Sequence, residues 1–163
     1  MNLIVAVDEN WGIGKDGGLL ANVPGDMKFF KEKTTGNVVV MGRKTLESFP
    51  GKKGLPNRVN YVLTTNPEFE AKGCTIINSE EDLWEALGSH HSDDIFLIGG
   101  ASMYNRYYDR CDTLYITKFQ ADLNADAHIV NIDKDDRFEL VNESDVQESN
   151  GIQFTFCTYK KKA

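Results

Sequence analysis

Short apolar runs rich in valine and isoleucine alternate with segments of helical character, and this alternation is the tightest constraint on the fold. The runs are "LIVAV" (3–7), "NVVVMG" (37–42), "RVNYVLT" (58–64), "CTIIN" (74–78), "DIFLIGG" (94–100) and "TLYITKF" (113–119). Unbroken apolar runs of this length read as strands buried on both faces. Between them the sequence predicts a helix from Pro24 to about Thr34 and a short one over "RKTLESF" (43–49). Two more are predicted over "SEEDLWEALG" (79–88) and "ASMYNRYYDRC" (101–111). Ser79 stands in a capping position, acids fill the turn after it, and Gly88 closes the segment. Strands alternating with helices imply a mostly parallel central sheet with helices on both faces. Near the C-terminus the helical pattern stops. "RFELVNES" and "IQFTFCTYK" lie on either side of Asn150-Gly151, a hairpin signal, so antiparallel strands should finish one edge. The expected class is α/β, with one domain over 1–163. Ligands of such sheets sit beyond the carboxyl ends of the strands, which points to the loops after residues 7, 42, 64 and 98.

Composition narrows the function classes. With 40% hydrophobic and 26% charged residues, the chain matches an ordinary globular protein. A net charge of −7 carries no general nucleic-acid footprint. No apolar run reaches membrane-spanning length, and the opening "MNLIVAV" meets Asp8 without the pattern of an export signal. A cytoplasmic setting, no membrane or nucleic-acid partner, and reduced thiols at Cys74, Cys111 and Cys157 are therefore expected. Lys160 to Lys162 read as a solvated tail, and His90 and His91 as solvated loop residues. Neither H-E-x-x-H nor G-x-S-x-G occurs, and no metal-ligand spacing is present, so no metal site is expected.

One carboxylate stands out. Winding the segment from Pro24 at about 100° per residue puts Phe30 about 40°, Phe29 about 60° and Met27 about 100° from Asp26. Lys28, Lys31 and Glu32 fall on the opposite side. Asp26 thus lies amid apolar neighbours. It reads equally as a first-turn acid that complements the helix dipole and as a site residue. In either case its pKa should be raised unless a donor meets it.

Two junctions share one form. "VVVMGRKT" and "FLIGGASMY" each run from apolar strand through glycine into a helix start. Backbone N–H groups at such turns face outward and suit an anion, and Arg43, Lys44 and Thr45 reinforce the first junction. A pair of them favours a phosphate-bearing ligand. Neither is a complete P-loop or dinucleotide fingerprint.

These pieces resemble bacterial dihydrofolate reductase over essentially the whole chain. The segments that carry the resemblance are "AVDENWGIGKDGGLL", "NVPGDMKFFK", "VVVMGRKTLESF", "LPNRVNYVLT", "IFLIGGASMY", "LYITKF" and "ADAH". The resemblance implies a monomer that transfers a hydride from NADPH to dihydrofolate and binds antifolate inhibitors. It implies that Asp26 receives the pterin and favours ring protonation through water, with Thr117 behind it. Ile4, Val5, Ala6 and Ile98 would floor the substrate pocket, and Met27, Phe30, Phe49 and Leu55 would wall it. Arg58 would meet the glutamate tail.

On the cofactor side, Ala6, Ile13, Gly14 and Leu19 are implied near the nicotinamide. Lys44, Thr45, Gly99, Gly100 and Ala101 are implied around the pyrophosphate, and Arg43, Thr64 and Thr65 around the 2′-phosphate and adenosine. Gly42, Leu63, Ile98, Ser102 and Tyr104 are implied to bind the cofactor as well. The segment from Gly14 to about Ala21 resembles a mobile lid with Asp126 as its docking partner. The chain departs from the family pattern at Leu20 and Ala21, where Pro-Trp is usual, and at Ser102, where some members carry arginine. A related pterin or pyrimidine reductase is the nearest alternative and a nucleotide-binding module without chemistry a more distant one. Arg58 together with Asp26 argues against the first, because a substrate without a glutamate tail needs no such arginine.

Overall fold

The computed structural model describes all residues from 1 to 163. The predicted strands form as β1 (Asn2–Val7), β3 (Val38–Gly42), β4 (Val59–Leu63), β5 (Thr75–Ile77), β6 (Ile95–Leu97) and β7 (Thr113–Phe119). The C-terminal segment supplies β9 (Phe138–Glu143), β10 (Gln147–Ser149) and β11 (Ile152–Lys161). All nine join one sheet, whose spatial order is β10-β11-β7-β1-β6-β3-β4-β5, with β9 also on β11. The six strands from β7 to β5 run parallel. Strand β11 pairs antiparallel with β7 on one side and with β10 and β9 on the other.

Alternation along each central strand gives the sheet two apolar faces. Leu3, Val38, Val40, Ile95, Leu97, Leu114 and Ile116 point to one face, while Ile4, Val39, Met41, Phe96 and Ile98 point to the other. Helices α3 (Glu80–Leu87) and α4 (Ala101–Tyr107) cover the first face through Leu83, Leu87, Met103 and Tyr107. Helices α1 (Pro24–Thr34) and α2 (Arg43–Glu47) cover the second through Phe29, Phe30 and Leu46. The Ser79 cap forms, its hydroxyl accepting the Asp82 N–H at 3.1 Å. No helix is long and apolar enough to cross a membrane.

Several expectations need correction. The helix predicted over 101–111 stops at Tyr107, and Tyr108–Arg110 winds more tightly as a 3-10 turn. That turn brings the N–H of the fully buried Cys111 onto the Tyr108 carbonyl at 3.1 Å just before β7 begins. Within the glycine-rich stretch after β1, a short strand β2 (Gly12–Gly14) pairs with β8 (Ala127–His128). Strands this short carry no periodic signal. Lys160 and Lys161 are part of β11 rather than a free tail, and the Lys162 N–H donates to the Arg137 carbonyl at 2.8 Å. His90 is not simply solvated, since its Nε2 hydrogen-bonds the Tyr61 hydroxyl at 2.9 Å.

The Asn150-Gly151 turn forms as predicted, with positive φ at both residues. It joins β10 to β11, whereas the longer β9 occupies the rest of the same edge. Leu97 is fully buried in β6, between β1 and β3. Leu97→Ala should cost about 3 kcal/mol in equilibrium urea unfolding. A loss below about 1 kcal/mol would show that this position is not close-packed.

Candidate active site

Helix α1 starts where the C-terminal hairpin touches it. Its N-cap is Val23, whose side chain packs with Phe119 and Phe154 and makes no polar cap. The missing cap is supplied from far away. The Ser149 hydroxyl accepts the Gly25 N–H at 3.1 Å, and the Asn150 side-chain amide donates to the Asn22 carbonyl at 2.9 Å. A Cβ on Gly25 would lie 3.1 Å from the Phe154 ring, so the hairpin and the helix pack tightly at this glycine. This contact seats the first turn of α1 against β7.

Asp26 sits in that turn. Thr117 of β7, itself 2% exposed, donates its hydroxyl proton to Asp26 Oδ1 at 2.6 Å. In the parallel ladder Thr117 stands opposite Ala6 of β1. The other carboxylate oxygen receives no hydrogen bond from the protein, and no basic side chain pairs with the group. Burial raises the Asp26 pKa, and the Thr117 bond opposes that rise. The half-buried acid expected from helical spacing is therefore present, together with its expected partner.

The substrate-side residues separate into groups. Ile4 and Ile98 are buried in one apolar cluster, against which Phe30, Phe49 and Leu55 pack. Met27 is 50% exposed and stands outside that cluster. Ala6 packs instead with the Val23, Phe119 and Phe154 group, where Ala21 also packs. Val5 turns its side chain to the opposite face of the sheet, so only its backbone borders this side.

Arg58 lies just before β4. Its guanidinium donates to Thr34 Oγ1 at 2.9 Å, to the Pro56 carbonyl at 2.8 Å and to Thr35 Oγ1 at 3.2 Å. All three partners are neutral, no carboxylate of the chain pairs with it, and burial lowers its pKa. The result is an oriented cation whose charge the protein leaves uncompensated.

The two glycine junctions meet. The Gly42 N–H donates to the Gly99 carbonyl at 2.9 Å. Thr45 Oγ1 lies 3.1 Å from where a Gly99 Cβ would be and 3.3 Å from the same point at Gly100. The peptide between Gly99 and Gly100 is cis. Arg43 pairs with Glu47 at 3.3 Å and lies 4.7 Å over the Phe69 ring, a partner that the sequence pattern did not reveal. Lys44, Thr65 and Ser102 are exposed, while Leu63, Thr64 and Ala101 are half-buried.

Tyr104 differs from this group. It is 5% exposed and donates its hydroxyl proton to the Ile4 carbonyl at 2.8 Å. Burial, then the Asp26 charge, pushes its pKa far upward. Its polar end therefore braces β1 inside the protein.

The lid stretch leaves β2 with Ile13 and Gly14 half-buried and carries Leu19 72% exposed. Asp126 docks it as expected. Its Oδ2 accepts the Asp16 N–H at 2.9 Å, and its own N–H donates to the Gly14 carbonyl at 2.9 Å. Sequence reasoning missed Ser149 as the cap of α1. It also missed Asp8, which ties the root of the lid, because these bonds span more than a hundred residues.

A parallel-sheet domain with one acid set in an apolar cleft, an unpaired arginine at one end and two joined glycine junctions nearby has the layout of a nucleotide-dependent reductase. The chain belongs to the dihydrofolate reductase family, whose model matches residues 1–161. It is 35% identical to dihydrofolate reductase of Bacillus subtilis over 164 residues, covering 99% of this chain and 95% of that protein. The Staphylococcus aureus enzyme is 34% identical, with 99% and 98% covered. A solved dihydrofolate reductase of Enterococcus faecalis, complexed with NADP(H) and RAB-propyl, superimposes with a TM-score of 0.88. It is 34% identical, and the match covers 99% of this chain and 96% of that one.

Because the Thr117 hydroxyl stabilises the charged form of Asp26, Thr117→Val should move the Asp26 pKa further upward. Carboxyl 13C NMR titration of the ligand-free protein reads this directly. A downward or absent shift would contradict the assigned bond.

Proposed function

We propose that the chain reduces 7,8-dihydrofolate to tetrahydrofolate with NADPH, and that it does so as a monomer. When bound, NADPH supplies a hydride to pterin C6. One observation carries the reading: Asp26 has one oxygen held by Thr117 and the other left without a protein donor, beside an apolar cluster. A flat heterocycle bearing an amino group and an adjacent ring N–H fits that free acceptor. The carboxylate orients the ring and, through its charge, favours the protonation at N5 that accompanies hydride arrival at C6. Burial raises the Asp26 pKa, and the Thr117 bond, by opposing that rise, helps keep the carboxylate charged for that work.

The remaining residues have positional roles in this reading. Phe30, Phe49, Leu55, Ile4 and Ile98 hold the pterin and its aromatic bridge by apolar contact, with Met27 at the margin. Arg58 receives the glutamate carboxylate, and its uncompensated charge supports that role over a purely structural one. Gly99, Gly100, Ala101, Lys44 and Thr45 border the pyrophosphate, and Arg43 and Thr64 the 2′-phosphate and adenosine. Ile13 and Gly14 border the nicotinamide at the base of the lid, and Leu19 closes over it as the lid shuts and water leaves.

NADPH consumption with dihydrofolate, set beside a panel of pterins without a glutamate tail, is the direct test. Turnover should be greatest with dihydrofolate, and equal turnover across the panel would remove the reading. Asp26→Asn should cut the rate at neutral pH by about a hundredfold or more, with partial recovery in acid, where more substrate is already protonated. A variant as fast as the parent at every pH would contradict the role of the carboxylate. Arg58→Ala should weaken dihydrofolate binding by about a hundredfold and leave a tail-less pterin unaffected, as measured by fluorescence titration.

A further inference from the structure

Asp8 lies at the end of β1, outside the cleft, and is 3% exposed. Both of its oxygens are engaged. Oδ1 accepts the Asn10 N–H at 2.9 Å and the Gly12 N–H at 2.8 Å, and Oδ2 accepts the Leu123 N–H at 3.1 Å. Burial alone would raise its pKa, yet the three backbone donors hold it below the ordinary carboxylate range. One carboxylate therefore joins Gly12, two residues before the lid begins, to the loop after β7 that carries Asp126.

Other features converge on the same knot. The Glu9 N–H donates to the Ala121 carbonyl at 3.1 Å, and the Ile129 N–H to the Trp11 carbonyl at 3.0 Å. Any Cβ on Gly12 would collide with the Ala125 methyl, so the two loops touch backbone to side chain. Trp11, 8% exposed, is held at φ 61, a conformation that a bulky residue keeps only where its surroundings enforce it. Beyond Gly14 the restraint is sparse. Residues 15–19 are exposed, and Asp16 meets Asp126 through one exposed hydrogen bond.

We propose that Asp8 is a positioning residue for cofactor binding: by bridging Gly12 and Leu123 it fixes the root about which the lid closes. This rests on the functional reading above, in which the lid meets the nicotinamide. Asp8 touches neither ligand in that reading. It acts through the backbone of Gly12, which sets where Ile13 and Gly14 stand. A rigid root lowers the ordering cost of each closure, so cofactor affinity depends on it while substrate affinity does not.

Asp8→Asn tests this. Asparagine keeps the size but offers one acceptor oxygen, and its amide faces an N–H where the second oxygen had been. For folded protein, the Kd of NADPH should rise about tenfold, the effect of losing one charge-assisted hydrogen bond, while the Kd of dihydrofolate alone stays at the parent value. Loss of general stability would lower the unfolding midpoint without separating the two affinities. Unchanged affinity for both ligands, or equal weakening of both, overturns the proposal. A parent that fails to bind NADPH overturns the functional reading, and this proposal with it. Amide exchange in the parent keeps the test open even where the variant does not fold. NADPH should slow exchange at Gly12 and Leu123 together, and no change at either amide overturns the proposal.

Discussion

A carboxylate can remain beside an apolar cleft only where something meets part of its charge, and here that partner is one threonine hydroxyl. The bond between Thr117 and Asp26 crosses from the sheet to α1 and spans residues far apart in the chain. It requires β7 to lie next to β1, so that Thr117 stands opposite Ala6. It also requires the first turn of α1 to begin over that strand. Val23, Gly25, Ser149 and Asn150 secure the second condition by docking the helix start on the C-terminal hairpin. The hairpin therefore does more than finish the sheet edge, since it places the acid.

The same helix sets the length of the site. Asp26 lies in its first turn, and Thr34 at its end holds the Arg58 guanidinium. Eight residues of helix separate them by about 12 Å. A rigid rod thus bears an acid near one end and orients a cation near the other. The two arginines differ in their surroundings. Arg58 meets only neutral oxygens, whereas Arg43 already has a carboxylate and an aromatic ring. The less compensated charge is the stronger anchor for an incoming anion, because little must be displaced to use it.

The lid contrasts with this rigidity. Its root is bound by a buried carboxylate, a close glycine contact and a strained tryptophan backbone. Its tip is exposed and carries few bonds. A segment bound at its base and exposed at its end has the layout that the proposed lid requires. Ala21 belongs to the cluster beneath α1's start, so the far end of the flap returns into packed structure.

Much of this architecture was legible in the residues alone. Runs such as "VVVMG" and "LIVAV" identify doubly buried strands because their valines and isoleucines leave no polar face. Asn150-Gly151 marked a turn because both residues accept positive φ. Helical spacing located Asp26 among phenylalanines before any contact was known. Other features depended on distant neighbours. The truncation of α4, the pairing of β2 with β8 and the burial of Asp8 carry no local periodicity. The same holds for Ser149 capping α1 and for the Arg43 stack on Phe69. Local pattern determined which segments become strands and helices and which acid is out of place, because those depend on side-chain order along a few turns. Only the folded chain decided what caps α1, what stacks on Arg43 and where the lid stretch is rooted, because each is a contact between segments that chain order does not bring together.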